Sequence, residues 1–173
     1  MVEFQVVTLM PEEWQAYRQL RLEALSVEPQ AFATRYASAI QNPDAYWQER
    51  LVEAQAGDKS WLLFAKEEKG RLIGMVGAAC EAGSDRVGII SVYVTKENRG
   101  LGVATALMEA ILAEVSRRGV FRKAVLTVNV DQGPAVALYR HFGFQIVEEE
   151  VEVLGDGNSH LSYIMEKALR NDR

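Results

Sequence analysis

Residues 87–107 read VGIISVYVTKENRGLGVATAL: an apolar run, a polar hinge at residues 95–98, two glycines, and then the start of an amphipathic helix. From Ala104 the apolar positions fall at Leu107, Met108, Ile111, Leu112 and Val115, the one-sided stripe of a helix packed on a sheet. A strand that feeds such a helix requires a layered fold. It also delivers uncapped N–H groups and the positive end of the helix dipole to one spot, where an anion is the natural occupant. Gly100 and Gly102 let a bulky anion such as a pyrophosphate approach the main chain, and Arg99 adds a full charge. The same glycines also suit a plain tight turn. A GxGxxG dinucleotide fingerprint is excluded by Thr105, and no Gly-Lys-Ser/Thr phosphate loop occurs.

The remaining elements follow from pattern and punctuation. A first strand covers residues 4–9, and Pro11 opens a helix with Glu12 and Glu13 in its first turn and Trp14, Tyr17, Leu20 and Ala24 on its apolar face. Residues 30–41 show no clean period. Asn42-Pro43-Asp44 reads as the N-cap of a second helix, carrying Trp47, Leu51 and Ala54 and stopping at Gly57. Strands at 61–65, 72–80 and 86–94 are joined by short turns and form an antiparallel meander. After the helix at about 102–118, the strand at about 123–130 must run parallel to strand 86–94, because a helix separates them. A short helix at 131–141 and a hairpin of strands 144–154 and 160–167 complete the chain. Glu148, Glu149, Glu150 and Glu152 read as edge protection. The expected class is α/β (α+β): a mixed, mostly antiparallel sheet of about seven strands with helices on both faces.

With 173 residues, 49% hydrophobic and 25% charged, the chain has the size and composition of one domain with a proper core. A formal charge of −5 with no basic stripe argues against nucleic acid, and a mildly acidic surface attracts cationic amines. Cys80 is the only cysteine, so an intrachain disulfide is excluded; with only His141 and His160 beside it, no zinc site can be assembled, and no metal is expected. The N-terminus lacks a basic, apolar leader pattern, and no apolar run approaches the ~18 residues of a membrane span, so a cytoplasmic protein that does not engage membranes is expected. A homodimer is compatible with this reading.

Arg99, Gly102 and Ala104 spell RxxGxA. Residues 126–144, LTVNVDQGPAVALYRHFGF, match the pattern LxVxxxNxxAxxLYxxxGF at Leu126, Val128, Ala135, Leu138, Tyr139, Gly143 and Phe144. Both segments resemble motifs of the GNAT superfamily of acyl-CoA-dependent N-acyltransferases, and the order of elements agrees over residues 60–167. The resemblance implies a single domain over residues 1–173, with acceptor-side helices in 1–59 and a sheet and cofactor core in 60–167. It implies that strands 86–94 and 124–130 splay apart and hold the pantetheine of acetyl-CoA. The cofactor would contact Val92, Tyr93 and Val94, and the segment Arg99, Gly100, Leu101, Gly102, Val103, Ala104 and Thr105. Where the family has Asn this chain has Gln132, which keeps the amide, and Asn129 is the nearby alternative.

N-acetylation asks an ammonium of pKa near ~10.4 to lose a proton and a thiolate, whose thiol has a pKa of about 8.5, to gain one. By resemblance, Val92 N–H polarises the thioester carbonyl and Tyr139 protonates the leaving thiolate; an interfacial core aromatic is the other reading of Tyr139. Some members carry a glutamate base where this chain has Gly88, leaving Glu81, Tyr36 or a water chain as alternatives. The acceptor amine, small molecule or protein, is set by the region before Ser60 and the loop 155–159. A non-catalytic acyl-CoA-binding module is the alternative function.

Overall fold

The computed structural model describes residues 2–169. Strands β1 (Phe4–Val7), β2 (Ser60–Glu67), β3 (Leu72–Ala79), β4 (Arg86–Val94), β5 (Lys123–Asn129), β6 (Gln145–Val153) and β7 (Ser159–Ala168) form one sheet in the order β1-β2-β3-β4-β5-β7-β6. Only β4 and β5 are parallel, as the intervening helix requires. The final hairpin folds back so that β7 lies between β5 and β6, with Ser162 and Met165 buried, while β6 becomes a mostly exposed edge. Glu148, Glu149 and Glu150 are exposed on that edge, as expected of edge protection. Glu152 departs from the expectation: it is half-buried and borders a cavity.

Helices α4 (Val103–Arg117) and α5 (Gly133–His141) cover one face; α1 (Trp14–Val27) and α3 (Asp44–Ala56) cover the other. β2 shows why both layers are needed. Its alternating side chains send Trp61 and Ala65 into the core with Leu107, Met108 and Ile111 of α4, and Leu62 and Phe64 into the core with Tyr17, Leu20, Trp47 and Leu51. Burying each large apolar side chain contributes roughly 1.5–3 kcal/mol, so exposing either face is prohibitive. The buried stripe of α4 starts at Val103, one residue before the expected Ala104, which is only half-buried.

Two local readings are corrected. The residue that caps α3 is Pro43, without a side-chain bond; Asn42 is tied backward, its N–H donating to Ala39 O at 3.1 Å. The aperiodic stretch before it contains a one-turn helix, α2 (Tyr36–Ala39). No helix among the described residues is long and apolar enough to cross a membrane.

Candidate active site

β4 is kinked by one extra residue. Its register on β3 shifts between the pairs Gly77↔Ile90 and Met75↔Tyr93, and Ser91 has φ 57°, the one positive φ outside glycine among the described residues. A bulge reverses the side-chain alternation. Val87 and Ile89 face the α4 core before it, Val92 and Val94 after it, and Tyr93 turns to the opposite core. On the other edge, parallel pairing with β5 stops at Gly88↔Val125. Ser91 and Val92 thus have no register partner on either neighbouring strand, and β4 and β5 part beyond Gly88.

The chain then enters α4 through a 3-10 turn, Lys96–Asn98, pinned by the buried pair Asn98 and Thr95, whose Nδ2–H donates to Oγ1 at 2.8 Å. Gly102 is the N-cap with φ 84°, a conformation that suits glycine, and no side chain caps the helix. Ala106 N–H already bonds Gly102 O, so the amides of Val103, Ala104 and Thr105 are the free donors. A Cβ placed at Gly100 or Gly102 would meet nothing within 4 Å, so this surface is open. Arg99 does not point along it alone. Its Nε donates to Val94 O at 3.0 Å, an Nη pairs with Glu28 at 2.9 Å, and the guanidinium stacks 5.8 Å from the Tyr93 ring, clamping the end of β4 to the end of α1.

A cavity of about 420 Å³ opens here. Of the site residues expected from sequence, all line it except Leu101 and Asn129. Leu101 is 48% exposed to solvent. Asn129 faces a different cavity; its Nδ2 donates to Gln30 O at 3.1 Å and lies 3.3 Å from His160 Nδ1, while its Oδ1 accepts from Asp131 N–H. Gln132, the N-cap of α5, lines the 420 Å³ cavity that Asn129 does not reach. Tyr139 projects from α5 and packs edge-on against Phe144, and burial pushes its phenol pKa well above the ordinary value. Its hydroxyl has no hydrogen-bond partner among the described residues. Glu28, Ala31, Asn98 and Pro134 also line it without having been anticipated. Open helix amides, an unpaired strand edge and a long cleft between them fit a phosphate-bearing thioester cofactor.

A second cavity, of about 530 Å³, lies between α1, α3 and the parted strands. Ala31 and Phe32 border both cavities. Their segment is held by the loop after β6: Gly155 N–H donates to Phe32 O at 2.7 Å, and a Cβ at Gly155 would sit 2.8 Å from both Pro29 O and Thr34 O. The two regions expected to set the acceptor are therefore one structure. Neither Glu81 nor Tyr36 lines either cavity; both are exposed, and Gly88 borders the second one.

Arg21 and Arg50 also line the second cavity, and neither was anticipated. A signal was present: Arg21 completes the pattern Tyr17, Leu20, Arg21, Ala24, Leu25, and Arg50 sits between Trp47 and Leu51, so each is a guanidinium inside an apolar stripe. Their surroundings include the hydroxyls of Tyr17 and Tyr46. Burial raises the Tyr17 pKa, and Arg50 beside it pulls the other way. Burial lowers that of Arg21.

A family model described as the acetyltransferase (GNAT) family matches residues 12–144. The chain is 35% identical over 95 residues to a mycothiol acetyltransferase of Clavibacter michiganensis subsp. michiganensis; the match takes in 55% of this chain and 30% of that protein, so the chain spans about a third of its length. It is 26% identical over 133 residues to an N-alpha-acetyltransferase of Sulfurisphaera tokodaii, covering 71% of this chain and 75% of that one. In structure it is similar to an acetyltransferase of the GNAT family from Streptococcus pneumoniae, with a TM-score of 0.86 at 19% identity over 97% of this chain and 100% of that chain.

Proposed function

The chain belongs to the acetyltransferase (GNAT) family, and from that premise we propose that it is an acetyl-CoA-dependent N-acetyltransferase in which the α4-side cavity takes the donor and the α1–α3-side cavity the amine. Residues 2–59 supply the acceptor wall and residues 60–167 the cofactor core of one domain. One observation carries the reading: the free amides of α4, the unpaired Val92 and the Tyr139 hydroxyl border a single cavity. The amides from Gly100 to Thr105 would hold the pyrophosphate, and the open edge of β4 at Val92–Val94 the pantetheine, with Gln132 beside it. When bound, acetyl-CoA supplies the acetyl group as an activated thioester.

Val92 N–H is the fixed donor for the acetyl carbonyl oxygen, on a residue with no register partner on either neighbouring strand. Tyr139, its pKa raised by burial, keeps its proton at neutral pH and presents an O–H donor where the thiolate departs. A tyrosine held protonated does not serve as the base. Glu152 is the carboxylate on the acceptor cavity, and we assign it the amine's proton. The test is thiol release from acetyl-CoA across a panel of amines. Tyr139→Phe is expected to lower kcat by on the order of 100-fold or more while leaving CoA affinity, measured by calorimetry, unchanged. Unaltered turnover would remove Tyr139 from the mechanism, and CoA binding without thiol release for every amine would favour the non-catalytic module.

A further inference from the structure

Four residues that line the α1–α3-side cavity each carry a buried polar atom with no hydrogen-bond partner among the described residues: Arg21 Nη1, Arg50 Nε, Trp47 Nε1 and Ser162 Oγ. Trp47 and Ser162 are almost wholly shielded from solvent. Three of these four groups can only donate, and the fourth is a hydroxyl that can do so. Buried polar groups are normally paired, so four unpaired ones on residues lining one void make it the place where acceptor atoms would be bound.

The charges agree. Arg21 and Arg50 lie close enough to act on each other, so two guanidiniums share the void. Arg50 has one ion pair, Nη1 to Glu53 at 3.7 Å, on the solvent side; Arg21 makes none among the described residues. Its guanidinium rests 4.9 Å from the Phe32 ring, on the wall shared with the donor cavity. Glu152 is the single carboxylate bordering the void, and it pairs with neither arginine among the described residues. A chain of net charge −5 has thus placed two guanidiniums, only one of them ion-paired among the described residues, on this cavity. A polyamine or aminoglycoside would be repelled there, whereas a carboxylate or phosphate can take a guanidinium fork in bidentate fashion.

We propose that the acceptor is a small amine that also carries an oxyanion, carboxylate or phosphate, which Arg21 and Arg50 hold while Glu152 faces the ammonium end. The cavity is of the size that receives small molecules and is lined by Tyr17, Tyr46 and Trp47, so amino acids and amino phosphates are the class that fits. This inference rests on the transferase reading for its chemistry but not for its binding site.

The experiment compares matched amines: free α-amino acids against their carboxamides and decarboxylated amines in one arm, and phosphoethanolamine against ethanolamine in the other. Thiol release should favour the anionic member of at least one arm by roughly 10- to 100-fold in kcat/KM. The arm that responds distinguishes carboxylate from phosphate. Arg50→Gln and Arg21→Gln should abolish that preference, leave calorimetric affinity for CoA unchanged, and bring the anionic and neutral members within about twofold of each other; Arg→Lys variants, which keep the charge, should restore part of it. Thermal melts identify any variant that fails to fold. Equal or better turnover of the neutral amines overturns the proposal. If no amine in either arm is acetylated, the wider amine panel decides the transferase reading, and direct calorimetry with the same anionic amines decides the site: binding that Arg50→Gln removes supports it, and no binding to the wild-type protein overturns it.

Discussion

The cavity over α4 sets main-chain features, uncapped helix amides, two glycines and a bulged strand, beside the apolar side chains of Phe32, Val94, Leu138 and Tyr139. The cavity over α1 and α3 is walled by side chains drawn from α1, α3, β4, β5, β6 and β7. Ala31 and Phe32 separate them. A backbone-built site recognises what all members of a family share, since nearly any sequence offers N–H groups once glycine permits the approach. A side-chain-built site changes with each substitution. On the reading proposed above, the contrast locates specificity in this molecule: conformation would set the donor, and Arg21, Arg50 and Glu152 the acceptor.

The sharpest way to break that division is Glu152→Gln. It should lower kcat/KM for the amine by on the order of 100-fold at pH 7, with unchanged CoA affinity, and the deficit should narrow as rising pH deprotonates the amine in solution. A deficit constant from pH 7 to 10 would deny Glu152 its role. Gly102→Val attacks the other side. No protein atom lies in the way of its Cβ, but a β-branched residue held at φ 84° costs about 1–3 kcal/mol, and the side chain enters the anion cradle. CoA affinity should fall by roughly 100-fold, read by calorimetry, while the protein still folds; intact affinity would displace the cofactor from α4.

Gly155→Ala tests whether the cavities are separable at all. Its Cβ would press on Pro29 O and Thr34 O, both backbone, so the shared wall must shift. An overpacking cost of about 1–3 kcal/mol lowers Tm by roughly 2–10 °C, and KM should rise for both substrates. A rise for only one would show the wall to be less common than its contacts suggest.

The smallest effect is in alkaline stability. Folding raises the tyrosine pKa at Tyr139 through burial alone, and at Tyr17 through burial opposed by Arg50 and Arg21. Groups raised on folding contribute stability that is complete below the unfolded-state value of about 10 and is lost as pH climbs toward the folded one. Melting temperatures should therefore decline above about pH 10, and Tyr139→Phe should flatten that decline more than Tyr17→Phe. The reverse order would mean that the arginines do not offset burial at Tyr17.

Much of the proposed donor side was legible because it is contiguous. RxxGxA and the stripe from Leu107 to Val115 sit within one strand-to-helix passage, and the crossover from β4 to β5 had to be parallel. The acceptor side was not legible in the same way, although two of its parts left a local trace as arginines inside apolar stripes. Glu152 left none: among four glutamates on one strand, only the placement of β6 beside β7 and the closing of the loop at Gly155 turn that one toward a cavity. Asn129 and Gln132 lie three residues apart, and which of them meets the donor cavity depends on where α5 begins.

By itself the sequence determined the layered α/β architecture, the seven strands and the glycine-bearing turn into α4, because hydrophobic period, glycine and helix polarity act over a few residues. Tertiary structure alone decided the strand order that buries β7, the bulge at Ser91 that leaves Val92 without a register partner, and the meeting of Arg21, Arg50 and Glu152 around one void. Those depend on long-range packing, in which a side chain's surroundings are supplied by elements up to a hundred or more residues away.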